Sequence, residues 1–142
     1  MKTGNQSVDD VFSLLDVPLL KGLIDGDIYK YHKPLNSKRT NVIVNSLTLN
    51  TQPLQEGIVN VNIHAPNLKP VTTDGVPDSG FPDSVKLGSL ALVATSLLDT
   101  QFKDNFHTDI DTAPSMLQDS DGSWYINIRV NYYSVINDFK NI

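Results

Sequence analysis

The sequence predicts an α+β domain: a mixed or antiparallel sheet with an N-terminal helical segment and one long amphipathic helix packed on it, closing with a long C-terminal β-hairpin. Three observations predict it. First, the run Gly122 to Val135, GSWYINIRVNYYSV, alternates with a period of two. Trp124, Ile126, Ile128, Val130 and Tyr132 fall on one side and Tyr125, Asn127, Arg129, Asn131 and Tyr133 on the other, which is the pattern of a strand with one buried face. Second, the β-branched runs Asn41–Leu49 and Ile58–His64 lie close enough in sequence to pair antiparallel. Third, apolar residues recur at helical spacing from Asp83 to about Phe102.

The chain has 142 residues, the common size for a single domain, and residues 1–142 are expected to form one. It contains no cysteine, so a disulfide framework, a thiolate nucleophile and a cysteine-based zinc site are excluded. The N-terminal MKTGNQSVDD lacks the apolar core of a signal peptide, and no apolar run reaches the roughly 20 residues of a spanning helix. A soluble protein, made in the cytoplasm and without membrane contact, is the expectation.

Taken in order, Ser7 is a candidate N-cap, with Asp9 and Asp10 in the first turn where they complement the helix dipole. Val11, Phe12, Leu14, Leu15, Leu19, Leu20, Leu23 and Ile24 follow near helical spacing and read as core. Pro18 interrupts them, predicting a helix to about Leu15 and a short helical turn from Pro18, ended by Gly26. Asp25-Gly26-Asp27 is a turn, Ile28–Tyr31 a short strand, and His32–Ser37 a loop. After the strand Asn41–Leu49, Pro53 to Gly57 is the break. In the next strand Val59, Val61 and Ile63 share a face, leaving Asn60, Asn62 and His64 turned to solvent or to another subunit.

From Ala65 to Pro82 the chain carries Pro66, Pro70, Pro77 and Pro82 with Gly75 and Gly80, and no regular element is expected there. This long Pro/Gly/Asp-rich loop, 65–82, is either a surface insertion or an arm that reaches a partner and orders on assembly. Asp83 or Ser84 caps the next helix, whose apolar side is assigned to Val85, Leu90, Val93, Ala94, Leu97 and Leu98, with Asn105 marking its end. Phe106–Gln118 then folds back through the turn Asp119-Ser120-Asp121-Gly122 as hairpin partner of the last strand. The tail Asn137–Ile142 is expected to fray unless it docks elsewhere.

The formal net charge of −5 argues against a general affinity for the nucleic-acid backbone. Its distribution is uneven. Lys21, Lys30, Lys33, Lys38 and Arg39 crowd the first third against Asp25 and Asp27, whereas Asp74, Asp78, Asp83, Asp99, Asp104, Asp109, Asp111, Asp119 and Asp121 face only Lys86 and Lys103. Two solvated faces account for this, and so does a head-to-tail ring in which the patches of neighbouring copies meet.

The best enzymatic candidate is His107-Thr108-Asp109-Ile110-Asp111, where alternation on a strand brings an imidazole and two carboxylates to one face, as a metal-dependent hydrolase or nuclease would require. The same alternation is what the wet face of any hairpin shows. Asp119–Gly122 resembles the opening of a calcium loop but lacks the later glycine and closing glutamate. His32 and His64 stand alone in sequence. No nucleophile elbow and no glycine-rich phosphate loop occurs. Tyr125, Arg129 and Tyr133 could stack on bases, but an acidic chain with one such arginine is poorly suited to it. The expectation is a protein that is not an enzyme, with no catalytic, cofactor-binding or metal-binding residue assigned and no cofactor. The alternatives are the metal-dependent hydrolase using His107, Asp109 and Asp111, and a monomeric binding module that holds a peptide or glycan with the 65–82 loop.

The order of elements carries a resemblance. The N-terminal helical segment, Ile24–Tyr29 followed by Pro34-Leu35-Asn36-Ser37, the strands Asn41–Leu49 and Gly57–Pro66 with Val59-Asn60-Val61-Asn62-Ile63, a long helix, and the closing Trp124–Val130 together resemble the small phage neck proteins of the tail-terminator and tail-completion type. The resemblance implies an α+β subunit of a ring, typically a hexamer, that binds the last ring of the tail tube protein, stops its polymerisation and faces the head connector or portal side. It also implies location in the virion, passage of DNA through the ring without specific binding, and an architectural role without catalytic residues.

Overall fold

The computed structural model describes residues 1–135, so the tail Asn137–Ile142 lies outside the described residues. The elements are α1 (Gly4–Leu15), α2 (Pro18–Lys21), β1 (Ile28–Lys30), β2 (Asn41–Leu49), β3 (Leu54–Ala65), α3 (Ser84–Leu98), β4 (Gln101–Phe102), β5 (His107–Ile110), β6 (Ser115–Gln118) and β7 (Trp124–Val135). Among the described residues seven strands form one sheet of order β1-β2-β3-β7-β5-β4, with β6 also beside β7. It is a mixed sheet, because β1 runs parallel to β2 while the other pairs are antiparallel.

Helix α1 starts earlier than Ser7. Thr3 is its N-cap, and a reciprocal capping box joins Thr3 to Gln6, satisfying two otherwise orphaned donors. Ser7 is instead buried within the helix, its hydroxyl donating to the Gly4 carbonyl at 2.6 Å. α2 opens with Pro18 in the first turn and stops at Gly22 rather than Gly26. Leu19 and Leu23, assigned to the core from sequence, are 58% and 50% exposed.

β3 begins at Leu54, inside the stretch read as a break. Gly57 is a strand residue, paired with Leu49 on one side and Tyr132 on the other, because β2 carries a bulge between Ser46 and Leu49 that brings the two strands back into register. The turn is Asn50–Pro53. On the other side of β3, β7 pairs along its whole length, Leu54↔Val135 to Ala65↔Trp124.

The hairpin partner of β7 comes in two pieces. β5 pairs with its second half and β6 with its first; between them Asp111 still donates its N–H to Arg129 O at 3.0 Å, and residues 112–114 lie outside the ladder. α3 ends at Leu98 rather than Phe102. Asp99 is its extended C-cap, Thr100 turns the chain at φ 53°, and Gln101–Phe102 become β4 against β5. Nor is α3 a one-sided helix. Leu87, Leu90, Ala91, Ala94 and Leu98 are buried, but Val85 and Leu92 are 80% and 74% exposed, so apolar residues sit on both of its sides.

All the helical cover lies on one face. α1 packs on β1, β2 and β3 through Val8, Val11, Leu14 and Leu15, and α3 packs on β3, β7 and β5. Beneath them lie Val42, Val44, Val59, Val61, Ile63, Ile126, Ile128, Val130 and Tyr132, each removed from water at about 1.5–3 kcal/mol for a Val, Leu or Ile. The N-terminus is clamped to this core. Lys2 N–H donates to Gln55 Oε1 at 2.8 Å, and the buried Gln55 amide returns a bond to Lys2 O at 3.0 Å. Lys2 Nζ pairs with Asp10, which also accepts a hydrogen bond from the fully buried Tyr132 hydroxyl. Burial, then the Asp10 carboxylate, pushes the Tyr132 phenol far above its ordinary range.

Candidate functional site

The face of the sheet opposite the helices is polar, because β3, β5 and β7 all alternate. Asn127 Nδ2 donates to Asn62 Oδ1 at 2.7 Å and to Asn60 Oδ1 at 3.2 Å, and Asn131 Nδ2 donates to Asp109 Oδ1 at 2.8 Å. Arg129 Nε donates to Asp111 Oδ2 at 3.3 Å. Aromatic stacks bound this ladder at both ends: His64 on Tyr125 at 4.7 Å between centroids, and His107 between Phe102 and Tyr133 at 4.9 and 4.4 Å. Asn60 and Asn62 are half-buried by these neighbours rather than open to water.

The predicted cluster His107, Asp109 and Asp111 does share this face, yet each member is held by a different neighbour. His107 is stacked, Asp109 accepts from Asn131, and Asp111 is paired with Arg129. Successive members are roughly 7 Å apart along a strand. Among the described residues no group of three or more His, Cys, Asp or Glu converges to hold a metal ion. Tyr125, Arg129 and Tyr133 likewise share the face, and each is engaged, with His64, Asp111 and His107 respectively.

At one end of the sheet lies an open cleft of about 1040 Å³ that draws together segments far apart in sequence. One wall is the loop His32–Arg39, with Lys33, Lys38 and Arg39; the other is the β6–β7 turn, with Asp119 and Asp121; His64 and Lys69 also line it. His32 and His64, solitary in sequence, thus meet around one cavity. The turn itself is as predicted: Gly122 has φ 88°, and Asp121 Oδ1 accepts from the Ser123 N–H and hydroxyl, which together hold its carboxyl below the usual range. Of the basic residues, Lys21 and Lys30 are already paired with Asp16 and Asp9 at 3.0 and 2.7 Å. Lys33, Lys38 and Lys69 form no ion pair with any described residue.

The 65–82 segment has more order than the sequence suggested. It doubles back as a narrow two-legged arm, with bridges Leu68↔Phe81 and Val71↔Pro77 and a turn in which Gly75 adopts φ 76°. Its root is tied to the cleft. Asn67 Nδ2 donates to Ser79 O at 2.8 Å and Gly122 O at 2.9 Å, Asn67 Oδ1 accepts from Trp124 N, and Trp124 Nε1 donates to Gly80 O at 3.0 Å. Beyond the root the arm is almost wholly exposed, Val71 by 66% and Val76 by 61%. No local pattern in the sequence marks Asn67 as the tie, because its partners lie 55 and 57 residues away.

In the cleft, the His64 imidazole is held below its ordinary range. Burial favours its neutral form first and Lys33 second, against the opposing pull of Asp119 and Asp121, and its Nδ1 is buried without a hydrogen-bond partner. In the unfolded chain the ring protonates near pH 6.5. The folded state binds that proton less well, so this contribution to stability is intact above about pH 6.5 and declines as pH falls below it. His64→Phe keeps the stack on Tyr125 and removes the titration. Thermal melts at pH 5 and pH 7.5 should therefore show the wild type losing more stability than His64→Phe between the two values, and equal losses would contradict the assignment.

Fold and surface together define a class: an α+β domain with helices on one sheet face, a laddered polar face opposite, and an arm rooted beside a charged cleft. No protein-family model matches the chain, and no curated protein is significantly similar to it. Among the described residues no helix is long and apolar enough to cross a membrane.

Proposed function

We propose that the protein is a structural neck component of a phage or prophage particle, a ring-forming tail terminator or tail-completion protein that caps the tail tube and joins it to the head connector. The observation that carries the reading is the one-sided helical cover. A sheet whose second face is laddered with polar side chains, and from which an exposed arm projects, has surface to offer to neighbours. The resemblance rests on an element order of helical segment, strand pair, long helix and closing strands, and supporting it the chain runs α1 and α2, β1 to β3, α3, then β4 to β7, with the helix ending at Leu98 and the partner of β7 divided in two. The exposed apolar residues Leu35, Val85, Leu92 and Phe102, each more than 70% exposed, add contact surface on other sides. In this reading the partners are further copies of the chain, the tail tube protein and the head connector. The acidic balance lets DNA pass the ring without adhering.

Mass photometry and sedimentation velocity at micromolar concentration and low salt, with and without the tube protein of the same particle, test it. Discrete oligomers, or the chain bound to tube ends, are the expected result. A strict monomer under both conditions would overturn it.

A further inference from the structure

We propose that the acidic tip of the 65–82 arm docks against the basic wall of the cleft on a neighbouring copy of this chain. The inference rests on the ring-forming reading above and names the contact that would join its subunits.

Charge is the first argument. From Val71 to Phe81 the arm carries Asp74 and Asp78 and no basic residue, while the loop from His32 to Arg39 carries Lys33, Lys38 and Arg39 and no acidic one. Lys33 and Lys38 form no salt bridge among the described residues, Lys33 meeting Asp121 only through the longer-range field of the cleft, and Lys69 adds a further cation there. The apolar positions match as well. Val71 and Val76 flank Asp74 on the arm at 66% and 61% exposure, and Leu35, at the crest of the basic loop, is 91% exposed, so a contact between the two would withdraw apolar surface from water on both sides.

The arm tip does not fill the cleft of its own chain. Asn67 and Trp124 pin its root to the β6–β7 turn, and residues 70–78 are not among those that line the cavity beside it. A tip whose legs run some seven residues from that root reaches at most roughly 20 Å away. Asp119 and Asp121 on the opposite wall repel an acidic tip and favour the lysine loop as its seat within the cleft, which orients the neighbour.

The absence of native cysteine makes the test clean. Leu35→Cys and Val76→Cys chains carrying tags of different size are mixed and oxidised, and a disulfide-linked band at the sum of the two masses is expected. In parallel, Asp74→Lys/Asp78→Lys and Lys33→Asp/Lys38→Asp should each weaken self-association at low salt by about tenfold or more. A chain carrying all four substitutions restores complementarity and should regain assembly. Asp74, Asp78 and Lys38 are exposed and Lys33 is half-buried, all four on loops, and unchanged melting confirms that the variants fold. If the wild type assembles and both reversals assemble equally well, the arm contact is wrong while the ring reading stands. If the wild type is monomeric with and without tube protein, both fail. If Lys33→Asp/Lys38→Asp instead abolishes retention of duplex DNA and leaves assembly intact, the loop is a phosphate-binding surface and the proposal is overturned.

Discussion

Replacing Tyr132 with alanine is expected to lower the unfolding free energy by about 3–5 kcal/mol, the range for removing a large aromatic from a closed core. Tyr132 is fully buried in the second half of β7, stacks on Phe106 at 5.7 Å and joins α1 to the sheet by donating to Asp10. Truncation therefore opens a cavity and also leaves the Asp10–Lys2 pair without the hydroxyl that shares it. Tyr132→Phe separates the two effects. It keeps the ring and should cost about 1.5–3 kcal/mol, the usual value for a hydrogen bond to a charged group. Urea titrations read both, with the midpoint moving and the slope unchanged. The phenol supplies a second signature. Its ionisation is raised by burial and by Asp10, whereas the unfolded chain loses that proton near pH 10. The stability it contributes is complete below about pH 10 and falls as pH rises beyond it. Tyr132→Phe should abolish that part of the alkaline loss.

The second large effect is at Gly57. A Cβ there would stand 2.2 Å from the Thr48 carbonyl oxygen and 3.1 Å from Leu49 Cα, backbone atoms of the bulge in β2. They cannot swing aside as a side chain would. Gly57→Ala is expected to cost about 1–3 kcal/mol through a forced shift of the β2–β3 pairing, and Gly57→Val more. Gly88, in the middle of α3, is the control. Nothing lies within 4 Å of a Cβ at that position, so Gly88→Ala should stabilise by about 0.5–1 kcal/mol. Equal effects at the two glycines would mean that the bulge does not hold β2 where it is described.

How far each feature was legible in the sequence follows the distance over which its cause acts. The period-two run Trp124–Tyr132 announced β7 and its buried face because alternation is a local property. The strand pair, the arm's boundaries and the Asp119–Gly122 turn were legible for the same reason. The start of α1 was also local and was misread: Thr3-x-x-Gln6 is a capping box, but Ser7 before two aspartates drew the cap four residues late. The break at Gly57 failed for a different reason. A glycine in an otherwise β-branched run reads as a turn, and only the carbonyl of Thr48, on the neighbouring strand, shows why no other residue fits there. The end of α3 depended on Gln101–Phe102 finding β5, a pairing no window on the helix reveals.

The site was legible only as fragments. The basic loop, the acidic turn, His64 and the arm were each visible, but their meeting around one cleft is set by how β3 and β7 bring Ala65 beside Trp124. The carboxylates of Asp109 and Asp111 were placed on the correct face. Their partners, Asn131 and Arg129, sit on the next strand, so the commitment of each aspartate to a separate neighbour was beyond local reading.

Ring closure is the claim on which the functional account turns, and negative-stain electron microscopy of the assembled species tests it most directly. The account predicts closed annuli of uniform subunit number with an open centre, alone or seated on the ends of tail tubes. Single particles the size of one domain, or open chains of variable length, in the presence of the tube protein would contradict it.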